Sequence, residues 1–210
     1  MDEETEYLYV VFSATPYRMG KLIRFVTRES YNHIAISTEA SLTRMYSFAR
    51  RFYRTPFYGG FVTEEPYRYH HRSSVAQICV CRVSLSPEQS AHLSQRLRYM
   101  EENTQKYIYN HLSALAAPIH RRIPVSEAFT CAEFVVNVLS DLGLPFDRHR
   151  FYTIGQIYQV LESSRIYTGE FPLPTPMPDG SVFFERHPLP HPLYESARSI
   201  FALLQRKVHA

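Results

Sequence analysis

The 210-residue sequence predicts an α+β chain with a mainly antiparallel sheet and several helices, one of which carries a cysteine. Short β-branched and aromatic runs recur through the first 83 residues, and helical apolar stripes separate or follow them. A cysteine also stands directly behind a helix-capping signal at Thr130.

Residues 7–13 (YLYVVFS) read as a buried strand. Thr15 and Pro16 supply an N-cap and first helical position, and Leu22, Ile23, Phe25 and Val26 give the stripe of a helix ending near Glu29. Residues 31–38 and 44–49 form two strand-like runs, read as a hairpin. If its turn centres near Ala40 and Ser41, His33 faces Ser47 or Phe48. A Gly59-Gly60 break precedes a short run at 61–63, and residues 75–83 are a further strand. Ser86-Pro87-Glu88 opens a helix with Leu93, Leu97 and Met100 on one face, to about Glu102. A Tyr-rich segment, residues 107–111, leads toward the cysteine helix. A helix over about 153–161 and a short strand at 165–167 follow.

Residues 1–170 form the expected main domain and 171–210 an extension. Seven of the fourteen prolines fall between Phe171 and Pro192, which removes backbone donors and favours extended chain. That stretch reads as a wrap or linker, with Pro172 to Pro178 a candidate contact for a protein partner. Leu193, Ile200, Leu203 and Leu204 then mark a last amphipathic helix.

A formal charge of +3, with Lys and Arg scattered among acids, gives no basis for nucleic-acid binding. The acidic start does not resemble a secretory signal, and no run approaches the roughly 18 apolar residues of a membrane span. Three cysteines are too few and odd in number for a disulfide framework, so at least one thiol is free and a cytoplasmic location is expected.

The chemistry centres on Thr130-Cys131-Ala132-Glu133, where Thr and Glu three apart form a capping box that puts Cys131 in the first helical turn. Phe134, Val135, Val138, Leu139 and Leu142 form the buried stripe, and Gly143 with Pro145 ends the helix. A thiol there lies near unpaired backbone N–H groups and the positive end of the helix dipole, which favour thiolate over thiol and can stabilise an oxyanion. The alternative is a small apolar residue filling the helix start. His33, on a strand-like run between Asn32 and Ile34, supplies a candidate base, and Ser47 on the neighbouring strand could orient its ring.

These residues, in the runs YNHIAI, MYSFAR, GGFVTE and TCAEFVV, resemble the circularly permuted branch of the NlpC/P60 papain-like superfamily, which includes the YiiX-like and lecithin retinol acyltransferase-like proteins. The histidine precedes the cysteine, as in the permuted order. The resemblance covers about Tyr7 to Leu161. It implies a papain-like fold with Cys131 as nucleophile, His33 as general base, and a polar third residue on the strand after the His strand. Ser47 holds that place, with Glu64 and Glu39 as substitutes. It further implies a cysteine peptidase, amidase, acyltransferase or lipase acting on a peptide, a peptidoglycan fragment or a lipid. Lacking an amphipathic basic helix or membrane anchor beside the site, the chain reads as a peptidase or amidase. The competing reading is a catalytically silent module that binds proteins through the cleft and the Pro-rich tail.

No cofactor is expected. Cys79 and Cys81, with His70 and His71 upstream, invite a zinc reading, but they lack paired loop spacing and alternate with Ile78 and Val80 as packing residues do. Tyr107, Tyr109 and Thr130 are candidate substrate contacts, the tyrosines otherwise being core residues with a wet hydroxyl.

Overall fold

The computed structural model describes residues 6–17, 20–21, 24–25, 28–55, 57–71, 73–173, 182–185, 188 and 190–208. Ten strands are described: β1 (Glu6–Ala14), β2 (His33–Ser37), β3 (Met45–Arg50), β4 (Gly59–Glu64), β5 (His70–His71), β6 (Ser74–Val75), β7 (Gln77–Leu85), β8 (Ile108–Tyr109), β9 (Ala128–Phe129) and β10 (Arg165–Glu170). Five α-helices accompany them: α1 (Pro87–Glu102), α2 (His111–Ala116), α3 (Cys131–Asp141), α4 (Ile154–Leu161) and α5 (His191–Val208). The class is α+β, as the sequence predicts.

Eight strands make one sheet in the order β10-β7-β1-β2-β3-β4-β8-β9, while β5 and β6 pair separately. All neighbours are antiparallel except β8 and β9. β1 lies between β2 and β7 and is buried on both faces, which is why its sequence is an unbroken apolar run. Its alternate residues serve two cores. Leu8, Val10 and Phe12 join Ile34, Ile36, Phe48 and Phe61 against α1, α3 and α4, through Leu93, Leu97, Phe134, Val138, Leu139 and Ile157. Tyr9 and Val11 face the other way, with Ala35, Met45, Ile78, Val80, Tyr69 and Phe171.

The helices begin where their caps dictate. Ser86, Thr130 and Thr153 each close a capping box with the residue three positions on, and Pro87 sits in the first turn of α1. Gly143 follows α3 with φ of 81°, the left-handed stop expected there.

Several expectations change. Gly59 and Gly60 do not break the chain but begin β4, paired with Arg50 and Ala49. The backbone of Tyr107 passes so close that a Cβ on Gly60 would stand 2.1 Å from its carbonyl oxygen, so glycine is what admits β8 to the sheet edge. The β2–β3 hairpin pairs Ile36 with Tyr46 and so centres on Ser41, which carries His33 past Ser47 to the level of Ala49. The strand expected at 165–167 runs on to Glu170 along β7. The helix expected from Thr15 to Glu29 cannot be followed throughout, because Leu22, Ile23 and Val26 of its stripe lie outside the described residues, as do Pro174, Pro176 and Pro178 of the Pro-rich stretch. The extension returns to the body at three described places: Phe171 stacks on Tyr69 with ring centroids 4.4 Å apart, Phe183 is buried, and Leu203 of α5 packs with Ile108, Val125 and Ala128. Of the residues expected to form the α5 stripe, Leu203 alone is buried, and Leu193 and Leu204 are exposed.

Candidate active site

Cys131 is the first residue of α3. The Thr130 hydroxyl accepts from the Glu133 N–H at 3.2 Å, and Glu133 Oε2 accepts from the Thr130 N–H at 2.8 Å. The capping box therefore fixes the direction in which the thiol leaves the helix. It leaves the first-turn N–H groups of Cys131 and Ala132 without intrahelical partners.

His33 opens β2 and lines the same cleft as Cys131, whose side chain helps hold the ring in its charged form. Its Nε2–H donates to both carboxylate oxygens of Glu64 at 3.0 Å, which leaves Nδ1 as the ring atom for the thiol. Glu64, at the end of β4, is almost fully buried and takes two further donors. Arg68 Nη1 donates to Oε1 at 2.9 Å, and the Tyr69 hydroxyl to Oε2 at 2.7 Å. Arg68 is held in turn by the carbonyls of Arg50 at 2.7 Å and Arg51 at 3.3 Å, with its guanidinium 4.1 Å from the Phe183 ring centroid.

The electrostatics follow from this packing. Burial alone would push the His33 imidazolium down, but the Glu64 charge, the nearby Cys131 side chain and the hydrogen bond to Glu64 outweigh it and raise it to about 10. Burial likewise works against the Glu64 carboxylate, yet His33, Arg68 and the Tyr69 hydroxyl hold it down to about 2. The ring is thus a cation at neutral pH, set between the Glu64 carboxylate and the Cys131 sulfur.

A cleft of about 310 Å³ opens over the group, lined by Cys131, His33 and Glu64 and walled by Phe48, Phe57, Tyr109 and Phe183. Tyr109 therefore stands where a substrate contact was expected, its hydroxyl pushed up by burial and by the nearby Cys131 and Glu133. Tyr107 does not line the cleft; it packs its ring on Phe48 and Phe61. Thr130 is also absent from the cleft wall and acts as the cap of α3.

Ser47 does not orient His33. The register of the hairpin sets it two positions short of the histidine's level, and its buried hydroxyl donates to the Ile34 carbonyl at 2.7 Å. Glu39 lies in the exposed hairpin turn, accepting from Thr43. Of the three candidates for the orienting role, Glu64 is the one at the ring. Ser47→Ala is accordingly expected to cost about 1 kcal/mol in urea unfolding, through the unsatisfied Ile34 carbonyl, and to leave the alkylation rate of Cys131 unchanged. A slowed thiol in that variant would return Ser47 to the site.

Arg68, Tyr69 and Phe183 were not singled out by the sequence. Arg68 carried one faint signal, its position four residues after Glu64. Cys79 and Cys81 are free thiols buried in the main core. Among the described residues no three His, Cys, Asp or Glu side chains gather as a metal site, and no helix is long and apolar enough to cross a membrane.

No protein family, curated protein or solved structure matches this chain.

Proposed function

We propose that the chain is a thiol-dependent hydrolase or acyltransferase acting on an amide or ester carbonyl, a peptidase or amidase of the permuted NlpC/P60 papain-like type. The observation that carries this is the line Cys131, His33, Glu64, with the thiol on a helix N-terminus. The proton of Cys131 rests on His33, the base of the pair, and the thiolate attacks the carbonyl carbon. The resulting oxyanion lies near the first-turn N–H groups of α3. The imidazolium, kept charged by Glu64, then protonates the leaving amine or alcohol, and an acyl-enzyme remains until water or another acceptor takes the acyl group. The apolar walls of the cleft suit an aromatic or aliphatic group next to the scissile carbonyl. The three unpaired thiols fit a reducing, cytoplasmic setting.

The test is acylation by p-nitrophenyl acetate. A burst of nitrophenol equal to the protein present is expected, with the acetyl group mapped to Cys131 and no burst in Cys131→Ala or His33→Ala. Cys79 and Cys81 are fully buried and should not react. A folded protein that gives no acyl-Cys131 would leave the chain a binding module built on a cysteine-hydrolase scaffold.

A further inference from the structure

A second cavity, of about 460 Å³, lies between α5 and the strands β4 and β8. Three guanidinium groups line it, those of Arg51, Arg198 and Arg206, against a single carboxylate, Glu195. Glu195 Oε2 stands 3.2 Å from Arg198 Nη2. The lining therefore carries two positive charges in excess (3 − 1 = 2).

The cations are held in place from behind. Arg51 Nη2 donates to the Thr104 carbonyl at 2.7 Å, Arg206 Nη1 to the carbonyls of Lys106 at 2.8 Å and Ser126 at 3.4 Å, and Arg198 Nη2 to Gln105 Oε1 at 3.5 Å. Each guanidinium has five N–H donors, so most remain to be used. Outside the cavity lining, Glu127 lies 3.8 Å from Arg206 and offsets part of its charge. Burial also works against the Arg51 cation, and a bound anion would offset that cost.

A second, independent observation is Ser199 on α5. It lines the same cavity, is only 6% exposed, and its hydroxyl has no hydrogen-bond partner among the described residues. A buried hydroxyl left unpaired is unfavourable, and an oxyanion in the cavity would satisfy it. Three guanidinium groups match the several oxygens of a phosphate better than the two of a carboxylate, and the volume exceeds that of a bare phosphate.

We propose that this cavity binds a soluble phosphate monoester, its oxygens held by Arg51, Arg198 and Arg206 and by the Ser199 hydroxyl. The site is separate from the cysteine, although Gly59 contributes to the walls of both cavities.

Calorimetric titration of the full chain with ribose 5-phosphate and with AMP tests it, with ribose and sodium sulfate at equal ionic strength as controls. Saturable one-to-one binding of at least one phosphate ester is expected, with neither control matching it. Arg206→Gln and Arg198→Gln should each weaken binding at least tenfold and Ser199→Ala severalfold, whereas Cys131→Ala should bind as the wild type does. The two arginines are partly exposed, so these variants should fold, and Ser199→Ala gives a second reading if one does not. The proposal is overturned if neither ester binds, if sulfate binds equally well, if only phospholipid vesicles bind, or if the folded variants retain wild-type affinity. Failure of the acylation test leaves it untouched.

Discussion

Replacing Glu64 by Ala is expected to destabilise the protein by about 3–5 kcal/mol, the cost of breaking a buried ion pair while its partner stays buried. The Arg68 guanidinium and the Tyr69 hydroxyl lose their acceptor together with His33, and none of the three can readily reach water. The effect should depend on pH in a definite sense. Glu64 is held down from 4.5 to about 2, so its contribution is present above pH 4.5 and is lost as pH falls through 2. His33 is raised from 6.5 to about 10, so its contribution is present below pH 6.5 and is lost as pH rises through 10. The gap between wild type and Glu64→Ala in urea unfolding should therefore be widest between about pH 4.5 and 6.5. A gap below about 1 kcal/mol in that window would mean the carboxylate is not bound as described.

Glu64→Gln should have the larger effect on chemistry and a smaller one on stability, because the amide oxygen can still accept from Arg68. With the charge gone, burial is left to act on the imidazolium alone, and its ionisation moves down. In the wild type, acyl transfer that needs this acid should fall away only as pH rises through about 10. In the variant the alkaline limb should move toward neutrality by more than one pH unit, with a rate loss at pH 8 of about 10²-fold, within the range for a positioned acid–base group. Turnover of an unactivated alkyl ester, whose leaving alcohol must be protonated, across pH 5–11 reads both. An unmoved limb with a lowered rate would assign Glu64 to holding the loop rather than the proton.

The two halves of the site differ in how openly the sequence carries them. The capping box at Thr130 and Glu133 is local, and three residues of spacing were enough to place Cys131 at its helix terminus. The partner of His33 is not local. Glu64 pairs across the ladder with Met45, so no register argument joins it to a histidine two strands away, and its carboxylate reaches the ring from a position the pleat alone does not relate to it. Ser47 was the natural expectation from a hairpin centred on Ala40, one residue earlier than the real centre at Ser41. The long apolar run of β1 was legible as a strand but not as the sheet's centre, which depends on its pairing with β7 some seventy residues on. Phe183 was hidden for another reason: the composition around it signals extended chain and carries no hint of where that chain goes.

The order in which the site's parts occur along the chain has its own consequence during synthesis. Ribosomes deliver the N-terminal part first, so His33, Glu64, Arg68 and Tyr69 all leave the exit tunnel well before Cys131 does. The charged cluster can assemble on the first strands while the nascent chain still lacks a nucleophile, and Phe183, which covers the Arg68 guanidinium, emerges last. A growing chain of this protein would thus carry its base before its thiol, and would acquire the final wall of the cleft only some fifty residues after the thiol.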